Sequence, residues 1–299
     1  MKYCPSNKIL NPKTNRCVKK GGKIGKTLFV FNELKWINNS CYIDSLLIAF
    51  RYSFPNIFKE SELNLDNGER LVKYQIKIKN ELENIIDGLN DNCNKIRKLF
   101  NIYYNELIKI NPKIDILNGN ENFIYSQLDI FQVIELFHYI FKFKKDLVIY
   151  DNNYINNTSF DINISIDMLI NKNLIKIRDL YPKHKYKIFV DNKKYIKRYE
   201  ILKAKYLMIK IYRNLGFSKL KTKIIVSSYL KLKDNKLELK SIIIHYGSNN
   251  GGHYITLFKY YNNWYEFNDM SKISIINKGL SEINKNDNYT LNIVALLYS

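Results

Sequence analysis

Trp36-Ile-Asn-Asn-Ser-Cys41-Tyr-Ile-Asp-Ser45 is the stretch on which the reading of this chain turns. Ser40 or Asn39 can cap a helix that opens near Cys41, with Ile43, Leu46, Leu47 and Phe50 on one face. A thiol is then set at a helix N-terminus, where unpaired backbone N–H groups and the dipole favour negative charge. Far along the chain stands His245-Tyr-Gly-Ser-Asn-Asn-Gly251-Gly252-His253-Tyr254, followed by Trp264-Tyr-Glu-Phe-Asn268-Asp269. These segments offer an imidazole behind a glycine pair, then polar side chains at the end of a strand. A nucleophile, a base and a group to orient the base are the parts of thiol-based catalysis, and they meet in space rather than in sequence.

Each part has a chemical reason. A thiol attacks only as the thiolate, so a neighbouring imidazole both activates it and later protonates a leaving amine. The helix-start N–H groups can also hold an oxyanion. Asn268 or Asp269 can accept from the far ring nitrogen and fix the tautomer of His253. Taken singly, a cysteine on an apolar helix is core and a glycine pair is a turn. The conjunction is what points to a site.

Composition narrows the rest. With 299 residues and 46% hydrophobic content, the chain can build one large core or two modest ones. No apolar run is long enough to span a bilayer, and the N-terminus lacks a signal-peptide core, so an intracellular protein without membrane association is expected. The net charge of +20 invites a nucleic-acid reading. Lysines are scattered, arginine is scarce, and Asn, Lys, Ile and Tyr dominate throughout. A biased, solvated surface therefore accounts for the charge better than a dedicated phosphate-binding face. The cysteines are Cys4, Cys17, Cys41 and Cys93, without a Cys-x-x-Cys pair, so neither a disulfide scaffold nor a zinc ribbon is expected.

Residues 1–27 differ from the remainder. They are rich in Lys, Pro, Asn and Gly, favour turns and are bracketed by Cys4 and Cys17, bridged or free. Residues 28–299 read as the globular domain. Helical spacing of apolar residues predicts helices over 69–87, 94–110 and 127–142. The second half changes period, with strands over 205–212, 236–245, 254–261 and 289–298 and a hairpin turn at Asn262-Asn263. Helices first and an antiparallel sheet second make an α+β domain. The stretch 144–200 is polar, broken and ambiguous.

The first segment resembles the virus-specific two-cysteine adaptor module, through Cys4-Pro, Asn11-Pro-Lys-Thr, Arg16-Cys17-Val and the Gly-Lys ending. That module is fused to other domains, proteases included, in large DNA viruses. The resemblance implies a large double-stranded DNA virus as source, target recruitment through residues 1–27, and location in the host cytoplasm or viral particle.

Residues 30–299 resemble the ubiquitin-specific proteases. Asn39-Ser-Cys41-Tyr-Ile-Asp-Ser45 is similar to their cysteine box, in the cylindromatosis-type variant with Asp after the hydrophobic residue. Gly251-Gly252-His253-Tyr254 and Trp264-Tyr-Glu-Phe-Asn268-Asp269 are similar to their histidine box. Ser126-Gln-Leu-Asp-Ile-Phe-Gln132 looks like a worn copy of the Gln-Gln-Asp helix start, and Lys205-Tyr-Leu-Met-Ile-Lys-Ile-Tyr-Arg213 sits where the family has a Leu-Lys-Arg-Phe strand. The resemblance implies a papain-like fold: helical thumb, antiparallel β palm and reduced fingers. It implies Cys41 as nucleophile, His253 as base, Asn268 as third member and Asp269 as its support. The implied reaction is hydrolysis after the terminal glycine of ubiquitin through a thioester, with no cofactor and no metal. Gly251, Gly252 and Tyr254 would wall a channel for ubiquitin's tail. Asp129 would meet the tail's arginines or cap its own helix.

Some positions depart from the family pattern. Many members carry an oxyanion-stabilising Asn where this chain has Trp36; Asn38 or Asn39 can substitute, or backbone groups alone. Losing one such donor costs about two to three orders of magnitude in rate. The finger cysteines are absent, and His245 matches the first His of the family's His-Tyr-Gly run and reads as structural. Three alternatives follow: a catalytically weak or inactive ubiquitin-binding module of the same fold, a protease for a ubiquitin-like modifier or for a viral polyprotein after Gly-Gly, and a basic nucleic-acid-binding viral core protein.

Overall fold

Thirteen residues, Cys41–Ser53, form helix α1, and all but Arg51 and Tyr52 are buried. A helix enclosed on every side must lie between layers, and this one does. The structure is a computed structural model that describes residues 8–11, 16–19, 34–35, 37–89, 93–117, 122–126, 128–151, 154–164, 169–170, 172–180, 183–190, 193–215, 218–248, 251–271 and 273–299. Two compact units divide the chain, Met1–Glu33 and Leu34–Ser299.

In the first unit an antiparallel hairpin pairs Lys8–Asn11 with Arg16–Lys19, Leu10 facing Cys17. Cys17 is disulfide-bonded. Cys4 and the Gly-Lys ending lie outside the described residues.

In the second unit, helices α2 (Glu69–Ile86) and α3 (Asn94–Ile110) are amphipathic and turn their apolar stripes inward. Helix α4 (Ile130–Ile140) starts with a capping box: Asp129 accepts from the backbone N–H of Phe131 and Gln132 reaches back to the N–H of Asp129. It begins three residues later than the periodicity predicts because Asp129 halts it with an extended backbone. Phe50, Phe58, Phe100 and Phe137 form a tilted and edge-on aromatic cluster between these helices.

The sheet that backs α1 runs, in spatial order, β6 (Ser274–Ile276), β5 (Asn263–Phe267), β4 (Gly251–Tyr260), β3 (Lys236–Ser248), β7 (Ile293–Tyr298), β2 (Leu207–Ile211) and β1 (Asp161–Ile164). All these pairings are antiparallel except β1 with β2. Tyr229–Lys231 pairs with β3 off that path. Polar ties rivet α1 to the sheet: Thr256 Oγ1 donates to the Ser45 carbonyl at 2.7 Å and the Ser53 and Ser241 hydroxyls meet at 2.8 Å. Such buried polar groups fix one register, since any slide would leave them unpaired.

The sequence and structure differ at particular places. Strand β4 starts at Gly251, three residues before the predicted 254, so the glycine pair is strand rather than turn. The hairpin turn falls on Tyr261-Asn262, and Asn263 already pairs with Tyr260. Residues 287–290 form a helical turn ahead of β7. The ambiguous stretch holds Leu147–Asp151, Tyr154–Thr158, Lys183–Val190 and Lys193–Lys203, a four-stranded antiparallel sheet. Among the described residues no helix is long and apolar enough to cross a membrane.

Candidate active site

Cys41 is the first residue of α1. The approach to it is held in a shape that few residues tolerate: Asn38 and Asn39 have φ of 48° and 61°. Asparagine is among the few side chains suited to that left-handed region. The Arg97 guanidinium, fully buried, locks this loop. It donates to the carbonyls of Ile37 at 2.6 Å and Asn38 at 2.5 Å, to Phe123 at 2.7 Å and to Ile124. One cation thereby satisfies four backbone acceptors from two loops.

Ser40 stands at the N-cap, but its hydroxyl does not cap. It accepts from the Ile37 N–H at 2.9 Å and donates to Asp44 Oδ2 at 2.5 Å. Asn39 is likewise committed, its amide donating to the Tyr125 carbonyl at 3.0 Å. Backbone N–H groups at the start of α1 therefore have the better claim as oxyanion donors than the side chain of Asn39. Trp36 lies outside the described residues.

The thiol itself is 2% exposed. Burial pushes it from its ordinary 9.0 up to about 11, and Asp269 and Asp44 add to the rise. The backbone N–H groups of Tyr254 and Tyr42 pull the other way. The helix start was expected to favour a thiolate; here desolvation outweighs it, and the resting group is a neutral thiol. Because the Tyr254 N–H reaches the sulfur, Cys41 lies against β4 at the residue that follows His253.

His253 is more open, with a quarter of its side chain exposed. Its Nε2 lies 2.8 Å from Asn268 Oδ1 and 3.5 Å from Asp269 Oδ1. The Met270 N–H donates to the same Asn268 Oδ1 at 3.1 Å, which marks that atom as the amide oxygen. Nε2 must then carry the hydrogen, and Nδ1 is left as the basic nitrogen.

The glycine pair owes its identity to packing. Gly252 faces Gly247 across β3–β4, and a Cβ on Gly252 would sit 2.0 Å from the Tyr246 carbonyl oxygen and 2.4 Å from His245 Nε2. Gly251, half-buried, faces Ser248 in the same ladder. Tyr254 was expected to help wall a channel. Tyr254 is 3% exposed, and its ring stacks on His245 at 4.3 Å. Asp129 accepts from Tyr254's hydroxyl as well as capping α4, and burial raises its pKa. Burial, with Lys219 and His253 nearby, lowers His245 to about 4 and keeps it neutral.

Sequence reading gave Asp44 no role beyond its place in the motif and missed Arg97. Both are 0% exposed, and both interrupt otherwise apolar helix faces. That interruption was the available signal: a charge inside a buried stripe needs a partner. Among the described residues no group of His, Cys, Asp or Glu side chains is placed to hold a metal ion.

Residues 190–292 match the family model described as ubiquitin carboxyl-terminal hydrolase; this stretch holds His253, Asn268 and Asp269 but not Cys41. Among solved structures, a chain of the SAGA DUB module Ubp8/Sgf11/Sus1/Sgf73 bound to monoubiquitin is similar at a TM-score of 0.52 and 19% identity. The similarity covers 89% of this chain and 68% of that one. No curated protein matches the chain in sequence. The fold is accordingly the α+β, papain-like arrangement, with helices on one side of the Cys41 helix and a largely antiparallel sheet on the other.

Proposed function

We propose that this chain is a cysteine deubiquitinase that hydrolyses the peptide or isopeptide bond after the terminal glycine of ubiquitin. One observation carries the reading. A thiol at a helix start takes a hydrogen bond from the strand residue next to His253, and His253 has Nε2 tied to Asn268 with Nδ1 left basic. The matching family model over residues 190–292 supports the same chemistry. So does the likeness to a module whose structure contains monoubiquitin.

The steps follow from these atoms. His253 Nδ1 takes the Cys41 proton as the sulfur attacks the glycine carbonyl carbon. The carbonyl oxygen becomes an oxyanion near the N–H groups at the start of α1. The imidazolium gives its proton to the departing lysine amine, leaving a thioester. Water then loses a proton to the same imidazole, adds to the thioester carbonyl and returns the thiol. Asn268 holds the ring throughout, and Asp269 adds a negative charge that stabilises the imidazolium. An extended tail would pair its backbone with strand edges, and Asp129 stands by Tyr254 for contact with a basic tail residue.

Within the same reading, residues 1–27 are a recruiting segment of the two-cysteine adaptor kind, and the source is a large DNA virus acting in the host cytoplasm or its own particle. Its disulfide-bonded hairpin at Cys17 supports a small stapled module. Neither nucleic acid nor membrane is a proposed partner.

A second reading, a ubiquitin-binding module that does not cleave, draws on the 2% exposure of Cys41 and its thiol pKa of about 11. Ubiquitin carrying a C-terminal electrophile separates the two. The expected result is a covalent adduct on Cys41 of the wild type and none on Cys41→Ser. Tight binding without an adduct would establish the non-cleaving module instead.

A further inference from the structure

Asp44 and Asp269 are far apart in sequence, and each has a side chain with no exposure to solvent. They are in hydrogen-bonding contact with one another. Two carboxylates cannot touch in a dry interior while both are ionised: each charge already costs several kcal/mol to bury, and their repulsion adds to it. The surrounding donors are sparse. Ser40 Oγ donates to Asp44 Oδ2, and the buried thiol of Cys93 donates to the same carboxyl group. Asp44 Oδ1 and both oxygens of Asp269 receive no N–H or O–H at full hydrogen-bond geometry among the described residues. The backbone of residues 269 and 270 adds only a weaker pull on Asp269. Among the described residues His253 faces Asp269 at 3.5 Å, and Arg97 and Arg51 act on Cys93 at the far end of the chain of contacts. His245, the next imidazole, is neutral.

We propose that Asp44 is a protonated positioning residue whose carboxylic acid O–H, on Oδ1, donates to Asp269, so that a single negative charge faces His253. The proton accounts for two of the three orphaned oxygens, Asp44 Oδ1 and one oxygen of Asp269. Asp44 Oδ1 becomes a donor, Oδ2 stays the acceptor for Ser40, and Asp269 gains the donor it lacks. It also divides the labour between the carboxyls. Asp269 remains the anion that stabilises the imidazolium formed in the reaction, and Asp44 touches no reacting atom. Cys93 completes the chain at its far end, which gives that buried thiol a place in the site. Burial is the main reason that Asp44 holds its proton well above the ordinary carboxylate range. The inference rests on the deubiquitinase reading for its kinetic consequence, but not for the location of the proton.

The test uses the full chain in three variants. Asp44→Asn keeps an acceptor for Ser40 and an N–H donor for Asp269. Asp44→Leu keeps the volume and removes both. Asp269→Asn removes the anion. In infrared difference spectra between wild type and Asp44→Asn at neutral pH, the carbonyl band of a protonated carboxylic acid is expected in the wild type and lost in the variant. For cleavage of a ubiquitin C-terminal amide, Asp44→Asn is expected to stay within about threefold of wild type and to leave the acid limb of the pH profile in place. Asp269→Asn is expected to fall by about tenfold or more in kcat at similar KM. Asp44→Leu is expected to move the acid limb upward, because Asp269 without its donor takes up a proton at higher pH. No Asp44-dependent acid band, or a kcat loss in Asp44→Asn as large as in Asp269→Asn, overturns the proposal. A wild type that neither cleaves nor forms the electrophile adduct sinks the deubiquitinase reading alone, since the infrared band decides the proton by itself.

Discussion

The two halves of the site are held in opposite ways. The thiol half is enclosed: Cys41 is 2% exposed, and Arg97, Asp44 and Cys93 around it are buried. The imidazole half is open on one side, with His253 a quarter exposed on a strand whose position is set by ladder register. The first half is fixed by buried charges that cannot move without losing partners. The second is fixed by repetitive backbone bonds that survive the loss of a side chain. Damage to the thiol half should therefore appear first as lost stability, and damage to the imidazole half as lost turnover in a folded protein.

The sharpest way to break this contrast is His253→Ala. It is expected to lower kcat by roughly three to four orders of magnitude, the scale for a base within a catalytic unit. The ladder is unaffected, and the chemical-denaturation midpoint should stay close to wild type. Asn268→Ala should cost less than His253→Ala, because Asp269 at 3.5 Å still faces Nε2. A His253→Ala protein that cleaves normally, or that unfolds, would remove the distinction.

Next in size is Arg97→Met. It keeps most of the volume but strips the donors from the carbonyls of Ile37, Asn38, Phe123 and Ile124. Buried acceptors left unpaired cost about 1–3 kcal/mol each before relaxation. A total loss of about 3–5 kcal/mol in urea unfolding is expected, as for breaking a buried charged network. Turnover should fall as well, since only the Asn39–Tyr125 and Ile37–Ser40 bonds then hold Asn38 and Asn39 at positive φ. A variant as stable as wild type would show that the loop ahead of Cys41 holds itself.

This asymmetry explains what the sequence disclosed. Helices α2 and α3 were readable because Leu71, Leu82, Ile85 and Ile96, Phe100, Tyr103 repeat at helical spacing and are buried. The start of α1 at Cys41 and strands β2 and β3 were readable for similar reasons: a polar cap ahead of an apolar run, and β-branched residues in sequence. Between 147 and 203 the sequence showed only short β-like pieces in a polar, broken stretch, because Tyr-Ile-Asn-Asn-Thr158 carries no inside–outside alternation and the two local hairpins are joined by a pairing between residues about fifty positions apart. The glycine pair was legible as special but not for its reason, which is the approach of β3 and the ring of His245. Asp44 read as one letter of a motif. Its partner stands at 269, and a contact across such a separation leaves no periodic trace. Arg97 lay on a helix face counted as core, where a guanidinium is the residue least expected.

The smallest effect tests the thiol half directly. If Cys41 is a neutral, desolvated thiol at rest, its alkylation by iodoacetamide should rise with pH and inflect near 11, against an ordinary 9.0. A rise of that size is a preference of a few kcal/mol for the protonated form. The sign is set by burial and by the nearby carboxyls, which both disfavour the anion. A preformed thiolate–imidazolium pair makes the opposite prediction: fast alkylation at neutral pH and an inflection well below that of a free thiol. Mass analysis of the adduct restricts the reading to Cys41, because Cys93 is buried and also held protonated by burial. An inflection below neutrality would mean that the imidazole reaches across to activate the sulfur before substrate arrives. The two halves would then be one unit at rest. An inflection near 11 leaves them separate until an incoming tail displaces what covers the sulfur, so that binding itself must supply the geometry for proton transfer.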